Sequence, residues 1–444
     1  MAQKIDQLVR EAVFGDGDAK SKARKEIHLE ARKRGAVSSS IFPLYSAIGR
    51  GEVTRRFTVP AFNIRALTYD SACALFRAAM RNEVGAFIFE IARSEIGYTD
   101  QRPAEYAACV LAAAMRENFR GPVFIQGDHF QASAKKWATE EGKIAETKAL
   151  ESLIDEALAA EFYNIDIDTS TLVDLSFQTR EEQQRANFEG TAHFTKYIRA
   201  HEPKGITVSV GGEIGEVGKY NTQPDEVRAY MSGLQRLLGG STGISKISVQ
   251  TGTSHGGVPM ADGSIAQAKI DFEVLRQTTR LCRKEYGIAG SVQHGASTLP
   301  ESVFNKFPES EAVEIHLATG FQNMILDAAT FPAQMKEDIR EFCFAKASDE
   351  RKSDESDEQF VYKTRKKALG PFKRKMWDMP AEAKQPIIDE LESKFEFLME
   401  KLGVFGTRDV VAKFVPFSTG VMPEYAAASE ELTAAAVVDP NEGE

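Results

Sequence analysis

The chain has 444 residues, 42% of them hydrophobic and 27% charged, with a formal net charge of -10. Such a composition excludes a disordered or fibrous chain. The acidic balance leaves no basic field for nucleic acid or an anionic membrane, so any phosphate on a small ligand must be held locally.

Four scattered cysteines, Cys73, Cys109, Cys282 and Cys343, read as reduced core thiols rather than a disulfide or zinc framework. Met1 to Arg10 lacks the apolar core of a signal peptide. No stretch reaches the ~18 consecutive apolar residues of a membrane span, so a cytoplasmic chain is expected. Residues 1–54 are helical and charged in pattern, with Ser38-Ser39-Ser40 as a break, and are expected to form a helical extension packed outside the main domain.

From Phe57 short β-rich runs alternate with helical patterns. Thr58–Ile64 precedes a helix over 69–82, Gly85–Ile91 one over 103–117, Val123–Gly127 one over 143–160, and Phe162–Asp168 one over 180–200. Ile206–Val210 precedes a helix over 225–238, Lys246–Thr251 one over 272–286, Gly287–Gln293 one over 300–306, and Ala312–Leu317 one over 321–342. Eight such units predict an α/β chain whose residues 55–342 close a (β/α)8 TIM barrel with helical N- and C-terminal extensions. An open doubly wound sheet is the alternative, but polar residues finish nearly every run, as the rim of a barrel requires. Residues 343–444 then supply a charged linker (345–359), helical patterns at 373–378 and 386–402, and an Ala- and Glu-rich tail.

Three apolar runs end alike. Val123–Ile125 leads into Gln126-Gly127-Asp128-His129, Ile247–Gln250 into Thr251-Gly252-Thr253-Ser254-His255-Gly256, and Ile288–Gln293 into His294-Gly295-Ala296-Ser297. His129, His255 and His294, three of seven histidines, therefore share one structural position. They read as a three-histidine metal site with an open position, suited to Zn²⁺ or another divalent metal. Three unrelated rim histidines are the structural alternative.

Asp128 adjoins a proposed ligand, so its side chain is expected to project differently from that of His129 and to act as acid or base. Orienting a histidine is its other reading. Asp166 and Asp168 share one face of the fourth strand by the two-residue period. Asp168, and Glu213 at the end of the fifth strand, are candidates for an alternate metal ligand or for a partner that orients one. Asn63 and His316 finish the first and eighth runs at the same rim. Gly256, Gly295, Ser297 and Thr319 offer amide and hydroxyl donors where barrels commonly bind phosphate, although tight turns also need glycines.

In order and spacing these motifs resemble the class II, zinc-dependent ketose-bisphosphate aldolases. The resemblance runs from Pro60-Ala61-Phe62-Asn63 through Asp128-His129, Ile167-Asp168-Thr169-Ser170, Glu213-Ile214-Gly215, Lys269-Ile270-Asp271-Phe272 and the two later histidine motifs, to about Asp327. It implies zinc on the three histidines, proton transfer at a substrate oxygen by Asp128, and phosphate held by Gly256, Gly295 and Ser297. The family's mobile Gly-Gly-x-Glu-Asp loop is replaced here by Gly215 to Thr222, with Glu216 as the substitute for its proton-moving glutamate. In place of a substrate-binding asparagine the eighth strand has His316-Leu317-Ala318-Thr319, so His316 is either a buried structural histidine or a substrate contact. The Gln126-Gly127-Asp128-His129-Phe130 run with the downstream Trp137 also resembles non-catalytic subunits and sugar 4-epimerases of the same superfamily.

The expected activity is aldol cleavage of a ketose phosphate, such as fructose or tagatose 1,6-bisphosphate, through a zinc-stabilised enediolate in a homo-oligomer. A C4-epimerase of a ketose, a ketose phosphate or a keto-uronate is the first alternative, and a non-catalytic aldolase partner subunit the second.

Overall fold

The computed structural model describes residues 2–214, 220–252, 270–297 and 299–416; Glu216, His255, Gly256 and Lys269 lie outside them. The strands are β1 (Ala36–Ser38), β2 (Val59–Asn63), β3 (Ile88–Ala92), β4 (Gly121–Gln131), β5 (Asn164–Asp168), β6 (Ser209–Glu213), β7 (Lys246–Ser248), β8 (Ser291–Gln293) and β9 (Glu314–Leu317). β2 to β9 run parallel, each beside the next, and β9 returns to β2. The closed eight-stranded sheet with helices outside is a (β/α)8 barrel.

Local chemistry sets the helices that follow the strands. Glu140–Ala159 starts at Thr139, whose hydroxyl accepts from Gly142 N at 3.1 Å. Arg180–His201 starts with a capping box between Thr179 and Glu182. Pro224–Leu238 ends at Gly239, whose φ of +60° suits glycine.

Two predicted helices differ. The single helix over 321–342 is two, Thr319–Asp327 and Ala333–Lys346, because Pro332 has no N–H to donate and turns the residue before it away from helix. The stretch over 300–306 holds only a 3₁₀ turn, Glu301–Val303, and the short helix Lys306–Glu309 containing Pro308. Within the predicted charged linker, Ser356 caps a helix, Asp357–Thr364. The C-terminal helix begins upstream of its predicted start and spans Ala381–Lys401.

The extension is not confined to the outside of the barrel. β1 adds to the start of β4, pairing Ala36 with Gly121 and Ser38 with Val123, and Ser39 N donates to Val123 O at 3.0 Å. Asn164 at the start of β5 accepts from Ile41 N at 2.9 Å and donates to Ser39 O at 3.2 Å. Tyr45, fully buried on the helix Phe42–Gly49, donates its hydroxyl to Glu314 on β9. The extension thereby reaches the charged interior of the barrel, because an ionised carboxylate buried there needs donors.

Alternation along the strands divides the barrel into two environments. Phe62 packs outward against Phe321 and Phe395, at ring distances of 5.8 and 5.2 Å, which joins the C-terminal helix to the barrel. Inside stand Glu90, Gln126, Asp166, Lys246, Glu314 and His316, a polar layer beneath the mouth. All four cysteines are buried and free. No helix among the described residues is long and apolar enough to cross a membrane.

Candidate active site

β4 carries the site because its register breaks. Gly127 lies opposite Ile165 and Phe130 opposite Ile167, so Asp128 and His129 together face the single residue Asp166. This is a β-bulge, and His129 takes a φ of +40° within it. The two side chains project differently, as expected, although both turn into the barrel: Asp128 toward His316, and His129 toward Asp168 and Glu213.

The imidazoles of His129 and His294 meet at the mouth, with Nε2 of His129 2.7 Å from Nδ1 of His294. Each outer nitrogen has its own partner. Nδ1 of His129 lies 3.0 Å from Asp168 Oδ2, and Nε2 of His294 lies 2.9 Å from Ser248 Oγ. Such outer partners fix tautomers and leave the facing nitrogens to share one ion. Glu213 approaches Nδ1 of His129 at 3.3 Å, and an oxygen of Glu213 with one nitrogen from each histidine forms a compact donor cluster. Two neutral imidazoles and a carboxylate are a donor set for Zn²⁺ or a similar divalent ion. His129, His294 and Glu213 thus fit a metal, whereas the proposed ligand His255 lies outside the described residues.

Asp168 is occupied differently. Its Oδ1 accepts from Ser170 N and Oγ at 3.0 and 2.6 Å, while Gln131 donates to Oδ2 beside His129, so both oxygens serve to hold the bulge and its histidine. Burial pushes the Glu213 carboxyl up to about 7, helped by the Asp168 charge and opposed by His129. Burial alone would depress His129, yet Asp128 and Glu213 hold it well above the ordinary imidazole range. A bound metal must displace that proton, so occupancy competes with acid.

Below the ligands lies His316, stacked on His294 with ring centres 4.0 Å apart. Its Nδ1 faces Glu90 at 3.0 Å and Asp128 at 3.2 Å, and its Nε2 faces Glu314 at 2.7 Å. Both nitrogens of His316 thus point to carboxylates of the chain. Burial would push His316 down, but Glu90 and Asp128 hold it well above its usual value. Burial likewise opposes ionisation of Asp128, and His129 and His316 outweigh it, keeping that carboxyl well below its ordinary range. Asp128 therefore stands ionised between His129 and His316.

Deeper still, Lys246 Nζ lies 2.8 Å from Asp166 and pairs with Glu314, while donating to Gln126 Oε1 at 2.8 Å. Burial opposes the charge on Glu314, and Lys246 with His316 holds it down at about 2. Burial raises Glu90 to about 7 and Asp166 to about 6. Of this layer the sequence pattern singled out Asp166 and gave no role to Gln126, Lys246 or Glu314. Their signal was a charged or amide residue set inside an otherwise apolar strand, two residues from His316 in the case of Glu314.

The side of the mouth between β8 and β2 is lined by Gly295, Ser297, Thr319, Asn63 and Arg65. Ser297 Oγ accepts from Gly320 N at 3.1 Å, and Gly295 has a φ of +67° that a side chain would strain. Asn63 donates to Glu95 at 2.7 Å and accepts from Arg65 Nε at 3.2 Å. Its amide is engaged with the wall of the cavity, and sequence reasoning missed Arg65 and Glu95.

Residues 52–385 match the family model for fructose-bisphosphate aldolase class-II. Comparison with curated proteins returns no match. Among solved structures the chain is similar to fructuronate-tagaturonate epimerase UxaE from Cohnella laeviribosi, with 12% identity, 87% of this chain and 86% of that chain covered, and a TM-score of 0.57. It is also similar to a probable tagatose 6 phosphate kinase from Sinorhizobium meliloti 1021, with 16% identity, 86% and 97% coverage, and a TM-score of 0.52. Fructose-bisphosphate aldolase from Campylobacter jejuni has 17% identity, 84% and 96% coverage, and a TM-score of 0.47. At these identities the likeness to solved structures speaks to the fold.

Proposed function

The chain belongs to the class II fructose-bisphosphate aldolase family, and we propose that it cleaves and forms the C3–C4 bond of a ketose phosphate with a divalent metal, zinc by preference. The observation that carries this reading is the approach of His129 Nε2 to His294 Nδ1 at 2.7 Å, with Asp128 beside them in the same bulge. A zinc ion held by His129, His294 and either Glu213 or His255 would supply a Lewis acid for the ketose carbonyl.

The chain's own groups supply the rest. Asp128 receives the C4 hydroxyl proton as the C3–C4 electron pair passes to the carbonyl fragment and an aldehyde leaves. His316, stacked under His294, holds Asp128 toward that hydroxyl. Glu216, outside the described residues, is the proposed donor of the proton at the ketose carbon. Gly295, Ser297 and Thr319 hold the phosphate through amides and hydroxyls, and Asn63 shapes the same wall.

A second reading, a C4-epimerase that re-adds the aldehyde on its other face, is favoured by His316. Both its nitrogens face carboxylates of the chain, at the position where the resemblance implies an asparagine that binds substrate. The neighbour UxaE is itself a fructuronate-tagaturonate epimerase.

Zinc-loaded protein incubated with fructose and tagatose phosphates, mono and bis, and with keto-uronates, separates the readings by product. Released triose with loss of activity on chelation supports the aldolase, and an isomeric sugar without triose supports the epimerase. Protein that neither retains zinc nor turns over any of these sugars would instead be a non-catalytic partner subunit.

A further inference from the structure

Glu90, Glu95 and Asp128 all line the cavity at the barrel mouth, in a chain whose net charge is already -10. Glu90 and Asp128 face His316, and Asp128 also His129, across the same cavity, so the histidines are already engaged and an anionic group needs a donor of its own at the rim. Among the described lining residues a single Lys or Arg side chain is present, Arg65. Its side chain is 6% exposed, so water screens its charge little.

Arg65 is held through its Nη2, its Nε and its own carbonyl. Nη2 lies 2.6 Å from Glu95 Oε1 and Nε donates to Asn63 Oδ1 at 3.2 Å. Glu95 is fixed in turn by Ala92 N and Asn63 Nδ2, both at 2.7 Å. The Arg65 carbonyl accepts from Gln101 at 2.8 Å, and Thr68 donates to Gln101 at 2.6 Å. A cation clamped by a carboxylate, an amide and its own backbone is pre-organised, so little side-chain entropy remains to be lost when a ligand arrives. Glu95 also keeps the buried charge compensated while the cavity is empty of substrate.

Position supplies the second half of the argument. β2 pairs with β9, with Phe62 opposite Leu317, and β9 pairs with β8. Arg65, two residues past the end of β2, therefore stands on the same arc of the rim as Thr319 after β9 and Ser297 after β8. A planar guanidinium beside the hydroxyls of Ser297 and Thr319 matches the oxygens of a phosphate or a carboxylate. We propose that Arg65, positioned by Asn63 and Glu95, recognises the anionic group of the substrate. The inference rests on the aldol reading for the identity of the substrate, but not for its binding test.

The experiment is equilibrium binding to the zinc-loaded chain by calorimetry, with inorganic phosphate and galacturonate as probes, repeated for Arg65→Gln and Arg65→Lys. Loss of a charge-assisted pair should weaken the binding probe roughly 10- to 100-fold in Arg65→Gln, and less in Arg65→Lys. The probe that binds the wild type tells whether the group is a phosphate or a carboxylate. Affinity within about twofold of wild type in Arg65→Gln, or a wild type that binds neither probe, overturns the proposal. Should the Gln variant not fold, unchanged affinity in the Lys variant has the same force, because lysine cannot present the fork.

Kinetics separate this inference from the aldol reading. Arg65→Gln should raise KM for an anionic ketose by the same factor and leave a neutral ketose nearly untouched. An equal loss of kcat on both substrate types would make Arg65 a structural prop for Glu95 and sink the inference while the aldol reading stands. Weakened probe binding in Arg65→Gln, with a wild type that binds the probe but turns over no sugar, would sink the aldol reading while the inference stands.

Discussion

His129 on β4 and His294 just past β8, 165 positions apart in sequence but joined at one mouth, bring Nε2 and Nδ1 to 2.7 Å. Two imidazole nitrogens approach so closely only around a shared proton or cation. The contacts to Asp168 and Ser248 on their outer nitrogens turn the inner lone pairs toward each other.

Removal of either ring should therefore empty the metal site. His129→Ala and His294→Ala are each expected to lose nearly all zinc after dialysis, with elemental analysis as the measurement. Full zinc in either variant would take that residue out of the ligand set.

Asp128→Asn should retain zinc and fold while losing turnover, since the amide keeps the shape and cannot take a proton. A general base contributes ~10² to 10⁴-fold, so kcat should fall by at least about 100-fold. A loss under about tenfold would reduce Asp128 to orienting its neighbours.

Lys246→Met tests the layer below. The substitution leaves Asp166 and Glu314 buried without their cation, and breaking such a pair costs about 3 to 5 kcal/mol. Urea denaturation should show that loss, and Asp166→Asn in the same chain should restore part of it. Unchanged stability in Lys246→Met would mean that the carboxylates are protonated rather than paired.

Glu161 joins the extension to the barrel, 2.5 Å from Arg32 and 3.2 Å from His28. Burial raises its pKa, but the bonds to His28 and Arg32 prevail and hold it below the ordinary value. A carboxyl with a depressed folded pKa contributes stability that is complete above its unfolded value of about 4.3 and disappears as pH falls through the folded value. Glu161→Gln should thus be less stable than wild type at pH 7, by about 3 kcal/mol for a broken buried pair, with a gap that narrows below about pH 4. A gap that widens on acidification would reverse the sign of the argument.

Much of this molecule was legible in the linear pattern, for a physical reason. Strands buried on both faces are short apolar runs, and a polar residue ending such a run marks the rim, as Asn63, Asp128, Asp168 and Glu213 do. The bulge at Asp128 and His129 was not legible, because one inserted residue shifts the period without changing composition. The helix break before Ala333 could have been read from Pro332. Arg65 and Glu95 escaped notice because their roles come from pairing across 30 positions, which no local spacing records.

The bond from Tyr45 to Glu314 spans 269 positions. A ribosome adding ~5 to 20 residues per second needs roughly 15 to 50 s to make that stretch. Throughout that interval the Tyr45 hydroxyl has no Glu314 to meet, and Lys246, once made, waits for the same carboxylate. Lys246 can meet Asp166 as soon as it is made, but vectorial synthesis delivers Glu314 near the end of barrel assembly, so the nascent chain can join Tyr45 to the interior only in a late step.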